Sequence, residues 1–131
     1  MSDFANQVEQ IMKAHPLLHD GGYGHQRSYK IDIAELRRHL LAGESLAEIE
    51  RLCEWIKSNL SPSKSINYKQ SSYNLKHLAE RETGYVSNGQ FIVAALLLGY
   101  RMGPVFYSPS FNISESSIKR THQRLYPIKR P

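Results

Sequence analysis

Residues 86–101 read VSNGQFIVAALLLGYR, and this stretch decides the fold. Ser87 and Gln90 are three residues apart, the spacing of a capping box in which each side chain satisfies an orphan N–H of the first helical turn. Val86 and Phe91 stand at the N′ and N4 positions of a hydrophobic staple. The helix they open, through about Arg101, is apolar on every side. A helix without a polar face is buried all round, so residues 88–101 are expected to be the central element.

Working outward, Tyr73, Leu75, Leu78 and Ala79 form the inner side of a helix over roughly 72–83, which Gly84 ends. Before it, residues 59–70 (NLSPSKSINYKQ) read as an exposed connection, with Pro62 forbidding a continuous helix. Ser45 and Glu48 have capping-box spacing and precede a helix that buries Ile49, Leu52, Cys53, Ile56 and Leu60. Asp32 and Glu35 repeat the device for a short helix to Leu41, with Gly43 expected as its left-handed C-cap. Phe4, Val8, Ile11 and Met12 lie on one face of a first helix that Pro16 stops. Residues 16–31, with Gly21, Gly22 and Gly24, read as an irregular connection.

On the other side, Gly103 and Pro104 break the chain. VFYSPSFNI (105–113) predicts a short extended segment or hairpin, weakened by Pro109. Ser114 is the expected N-cap of a last basic helix to about Leu125, with Ile113 and Ile118 as its staple. The predicted fold is mainly α, in one domain of 131 residues: five or six short helices around the central hydrophobic one. With 40% hydrophobic and 22% charged residues the chain has enough apolar material for a core.

Charge is unevenly divided. Residues 1–54 carry a net −3 and residues 55–131 a net +8. No acid falls between Trp55 and Ala79, and none after Glu115. A half of one sign favours polyanions or an acidic protein face. Lys64, Tyr68, Lys69, Tyr73, Lys76 and His77 interleave cations with aromatic rings, the pairing that neutralises phosphates and stacks unpaired bases. Lys119, Arg120, Arg124, Lys129 and Arg130 extend the same charge toward the C-terminus.

Several chemistries are disfavoured. Cys53 is the one cysteine and sits on an apolar stripe, where a thiol is an inert small hydrophobe. His15, His19, Asp20 and His25 invite a metal, but Pro16 breaks the helix that i, i+4 ligands need, so these histidines are expected to face solvent. HDGGYGH (19–25) matches no phosphate-loop pattern. Residues 78–96 superficially resemble a helix-turn-helix, yet the second helix would offer Phe91, Ile92 and Val93 to base edges. Neither a cofactor nor a metal is expected. An enzyme would gain weight only if Lys76, His77 and Glu80 lined one deep pocket; on the predicted helix Lys76 and Glu80 share a face. No run approaches the roughly 18 apolar residues of a membrane span. The first 25 residues lack a cationic start followed by an apolar run, so no secretory signal is expected.

Tyr73-x-Leu75-Lys76-His77-x-x-Glu80, Tyr85-Val86-Ser87-Asn88-Gly89-x-Phe91-Ile92, Ala94-Ala95, Gly99-Tyr100 and Phe111-Asn112-Ile113-Ser114 together form a pattern over about residues 70–118. It resembles one found in small bacterial proteins of prophages, plasmids and other mobile elements. That group brings no assigned activity. The resemblance implies a mobile-element setting, a shared fold and a bacterial cytoplasm. Among its polar positions Ser87 is explained as an N-cap, whereas Lys76, His77 and Asn88 are not. The function expected from the sequence is a non-enzymatic module that engages nucleic acid mainly through backbone charge. The alternative is a protein-binding inhibitor or adaptor of anti-defence type, docking on a host nucleic-acid-processing complex. A homodimer is open in either case.

Overall fold

A computed structural model describes residues 3–24, 32–104 and 106–127. It has helices α1 (Asp3–Ala14), α2 (Ile33–Leu41), α3 (Gly43–Asn59), α4 (Ser72–Thr83), α5 (Asn88–Leu97) and α6 (Glu115–Leu125), and a two-stranded hairpin, β1 (Leu18–His19) and β2 (Gly22–Tyr23). The chain is mainly helical, as expected. No described helix is long and apolar enough to cross a membrane.

The centre is α5. Phe91, Ile92, Val93, Ala94 and Ala95 are all wholly buried, and the helix touches α1, α3, α4 and β2. Its start is as the sequence indicates. The Ser87 hydroxyl accepts the Gln90 N–H at 3.1 Å and the Gln90 side chain accepts the Ser87 N–H at 2.8 Å. Its end comes four residues early. Gly99, at φ 87°, closes a Schellman turn in which its own N–H reaches Leu96 O and the Tyr100 N–H reaches Ala95 O. The apolar run LLLGY hides this stop, because hydrophobicity continues after the helix does.

The other departures have equally local causes. A hairpin lies at 18–23, inside the stretch read as irregular. Leu18 pairs with Tyr23 and His19 with Gly22, and Leu18 and Tyr23 pack into the core. His19, expected in solvent, is wholly buried: Nε2 stands 2.7 Å from Gly24 O, and Nδ1 accepts the Gly21 N–H at 3.0 Å. The Nε2–H tautomer satisfies both and ties the hairpin to its own exit. Among the described residues around 105–113 the pairings are single bridges, Met102 with Phe111 and Pro62 with Ile113, which is the extended alternative the sequence allowed. Here Phe111 and Ile113 serve as core residues on an extended crossing. His25 and Val105 lie outside the described residues.

Ser45 is not a cap. Ala42 is both the C-cap of α2 and the N-cap of α3, so Gly43 is the first residue of α3 rather than a terminator. Ser45 and Glu48 instead take the two protons of the Gln90 amide, at 3.0 and 2.7 Å, which bolts α3 to the start of α5. Asp32, Ser71 and Ser114 each accept the N–H three residues on, at 3.1–3.2 Å, as N-caps of α2, α4 and α6. The α1 terminus is closed by a residue the sequence did not single out. The Arg37 guanidinium donates to Met12 O, His15 O and Leu18 O at 2.7–2.9 Å, satisfying carbonyls that a helix end leaves open.

Candidate nucleic-acid interface

Helices α4 and α6 both lie against α3. The Trp55 indole donates to Glu82 at 3.0 Å and the Thr121 hydroxyl to Asn59 O at 3.0 Å. They run parallel: Gln70, just before α4, reaches Glu115 at the start of α6, while Arg81 at the far end of α4 reaches Leu125 O. Between them is a groove of about 480 Å³. Leu75, Leu78 and Ile118 form its floor, Asn74 and His77 its α4 wall, and Lys119, His122 and Gln123 its α6 wall. Tyr126 closes one end, its ring stacked on His122 at 4.6 Å with the Arg81 guanidinium 4.4 Å from its centre.

The connection 60–71 leads into the other end. Ser61 meets Ser114, and the Asn67 amide spans Ile113 O and Glu115, so the loop is fastened to the start of α6. Arg101 donates to Lys64 O and fixes the loop from the opposite side. Lys64, Tyr68 and Lys69 are thereby held as exposed groups: Lys69 directly precedes the groove residue Gln70, whereas Lys64 and Tyr68 stand toward Arg101 and Gly103, with Tyr68 66% exposed. Exposed Tyr73 and His77 continue the line along α4, in edge-to-face contact at 4.4 Å. Lys119 lines the groove, and Arg120 is exposed beside it on α6.

Three expected contact residues are not available. Lys76 is 5% exposed and bonds Glu80 at 3.3 Å, beneath the rings of Tyr73 and Tyr85 at 5.3 and 4.8 Å. Its helix face points inward, so it holds those two tyrosines in place and does not meet solvent phosphates. Asn88 is buried. Its carbonyl oxygen accepts the Ser72 hydroxyl at 2.7 Å, and its amide donates to Gly21 O and Ser108. Arg124 is exposed but committed, to Glu82 and to Asn59 Oδ1, each at 2.6 Å. Lys129 and Arg130 lie outside the described residues.

Glu80 collects Lys76, His77 Nδ1 at 2.8 Å and the Val86 N–H at 3.1 Å. Burial opposes its ionisation, but the Val86 N–H and then Lys76 and His77 outweigh burial and hold the carboxyl below its ordinary value. Lys76, His77 and Glu80 therefore share a carboxylate, yet they do not share a cavity: His77 faces the groove and Lys76 lies under the tyrosines. Their role is to fasten the α4–α5 turn. Glu82 is likewise lowered, by the Arg124 hydrogen bond first and the Trp55 indole second. Cys53 is buried, and burial pushes its thiol up to about 11, which leaves it protonated and unreactive near neutrality.

The sequence did not identify Asn74, His122, Gln123 or Tyr126. Asn74 and His122 lie four residues from the floor residues Leu78 and Ile118, and Gln123 and Tyr126 follow on and just past the same helix, but nothing in one sequence states that α4 and α6 flank the same gap. No protein-family model matches this chain, and no curated protein or solved structure matches it either.

Proposed function

We propose that this protein is a non-enzymatic module that holds a nucleic-acid strand by its backbone, on the face formed by the 60–71 connection, α4 and α6. One observation carries the reading. Lys64, Lys69, Lys119 and Arg120 are exposed, without a carboxylate in ion-pair reach among the described residues; Lys119 and His77 line the groove, Lys69 directly precedes its lining residue Gln70, and the exposed Tyr73 ring touches His77 from outside it. Free cations next to exposed rings suit an unpaired strand, whose phosphates need charge and whose bases need flat surfaces. The resemblance to mobile-element proteins fits such a role and adds no activity of its own.

Anisotropy titration of labelled single- and double-stranded DNA and RNA at two salt concentrations tests this. Four phosphate contacts imply a log–log salt slope of about −3 for a single strand, or an affinity loss of about 50-fold between 50 and 200 mM. Replacing Lys69 and Lys119 by Gln should lower the slope by about 1.4. Absence of binding in low salt would overturn the reading and move the positive face to an acidic protein partner.

A further inference from the structure

Lys119 lines the α4–α6 groove and Lys69 directly precedes its lining residue Gln70, but the groove itself is not built for a phosphate. Its floor is Leu75, Leu78 and Ile118, and Glu115 stands at its amino end with one carboxylate oxygen already taken by Asn67 and Gln70. A phosphate placed there would meet an apolar surface and a negative charge. Instead, the walls offer side-chain amides: among the described residues neither the Asn74 nor the Gln123 amide is bonded within the fold's own network, and the two stand on opposite helices. Between them are the imidazoles of His77 and His122. An apolar floor, amides and rings along the rim, and cations outside it match the requirements of a nucleobase joined to a charged backbone.

We propose that the α4–α6 groove is a pocket for an unpaired nucleobase, with the adjoining phosphates on Lys69 and Lys119. The inference rests on the nucleic-acid reading above and specifies it. The base lies on the Leu75–Leu78–Ile118 floor, and its hydrogen-bonding edge meets Asn74 or Gln123. Size agrees: about 480 Å³ is within the range of sites that enclose small organic ligands. Tyr126 stops the far end and is kept there by Arg81 and His122, so the pocket has a fixed length along the helices. A base in a duplex cannot enter, because its edge is paired and its faces are stacked.

The test compares fluorescein-labelled twelve-nucleotide strands of dA, dC or dT with an abasic strand of the same phosphate number, on the full chain in low salt. Charge alone binds all four equally. The pocket makes at least one base-bearing strand bind about tenfold tighter than the abasic strand. Asn74→Leu with Gln123→Leu, at exposed positions of α4 and α6, removes both amides without adding a ring; on this variant the base-bearing strands should bind no tighter than the abasic strand. An unchanged melting temperature establishes that this variant folds. Equal binding of abasic and base-bearing strands by the parent, or full retention of base-dependent binding in the double leucine variant, overturns the pocket and leaves the charge reading standing. Failure of the abasic strand to bind overturns the charge reading instead.

Discussion

Adding one methyl group at Gly89 should be among the most damaging small changes in this chain. Gly89 lies in the first turn of α5, where alanine would ordinarily be favoured by about 1 kcal/mol. A Cβ at Gly89 would stand inside contact distance of the His19 carbonyl oxygen, 2.7 Å from Asp20 O and 2.8 Å from Asp20 C. These are backbone atoms, so no flexible side chain can swing away. The hairpin turn must retreat, and with it go the Gly89 N–H bond to Asp20 O at 2.9 Å, the Ser87 bond to Asp20 at 2.7 Å and the Asn88 bond to Gly21 O at 3.2 Å. Three bonds at about 1 kcal/mol each, with some overpacking and less the helix gain, give a net loss of about 2–4 kcal/mol. Gly43→Ala is the matched control. Gly43 opens α3, and nothing lies within 4 Å of its added Cβ, so the same substitution should stabilise by about 0.4–1 kcal/mol. Thermal melting followed by circular dichroism reads both. For a domain of this size the Gly89 variant should melt on the order of 10 °C lower, and the Gly43 variant slightly higher. If Gly89→Ala melts at or above the parent, the hairpin is not seated on the α5 terminus and the placement of His19 and Asp20 is wrong.

Other outcomes follow from the same contacts. Asn88→Ala strips partners from Ser72, Gly21 and Ser108 and should cost about 1–3 kcal/mol in urea denaturation; a neutral result would mean that the knot is not formed. Cys53, with its thiol raised to about 11, should react with a disulfide-exchange reagent at pH 8 only as fast as the protein unfolds, and rapid labelling of the native state would contradict its burial. Glu80 has a lowered folded pKa, so its stabilising contribution is present above the unfolded carboxylate value and is lost as pH falls through the folded one. Glu80→Gln should therefore flatten the stability loss on acidification, measured by urea midpoints across that range.

What could be read from sequence, and what could not, divides along a physical line. Three helix starts were legible because a cap is a bond between a side chain and a backbone three residues away, and Asp32, Ser87 and Ser114 each sit where that bond forms; Ser71 caps α4 in the same way but was not singled out in the sequence. The buried nature of α5 was legible because composition alone demands it. The Ser45–Glu48 pair shows the limit: its spacing is that of a cap, but Gln90, 45 and 42 residues further on, claims both side chains. Arg37 is similar, since its three carbonyl partners lie 19 to 25 residues earlier. The hairpin was missed because two-residue strands carry no alternation to detect, and what fixes them is His19 bonding within its own turn.

The same division explains which positive charges remain for a partner. Counting signs gives the half after residue 54 a net +8, but folding decides how much of it is available. Lys76 is consumed locally, because Glu80 is four residues on and the two side chains meet on one helix face. Lys64, Lys69, Lys119 and Arg120 make no such pair among the described residues; Glu115 stands four residues before Lys119, but Asn67 and Gln70 hold its carboxylate. Arg124 lies in an acid-free stretch of sequence yet is captured by Glu82, 42 residues earlier, once α4 and α6 are laid side by side. The pairing occurs at the carboxyl ends of the two helices, where Arg124 joins Glu82 and Asn59 and Arg81 covers Tyr126. The amino ends keep Lys69 beside them, and Lys119 stands partway along the groove. The consequence is a gradient along the α4–α6 groove: arginines engaged with the fold at the end that Tyr126 closes, lysines free at the end that opens toward the 60–71 connection. A strand drawn by charge would therefore approach from the lysine end, and substitutions there should alter its association rate and salt dependence. Arg124→Ala should instead lower stability while leaving the salt slope unchanged, and a slope that falls by about 0.7 in that variant would show that Arg124 serves the ligand and not the fold.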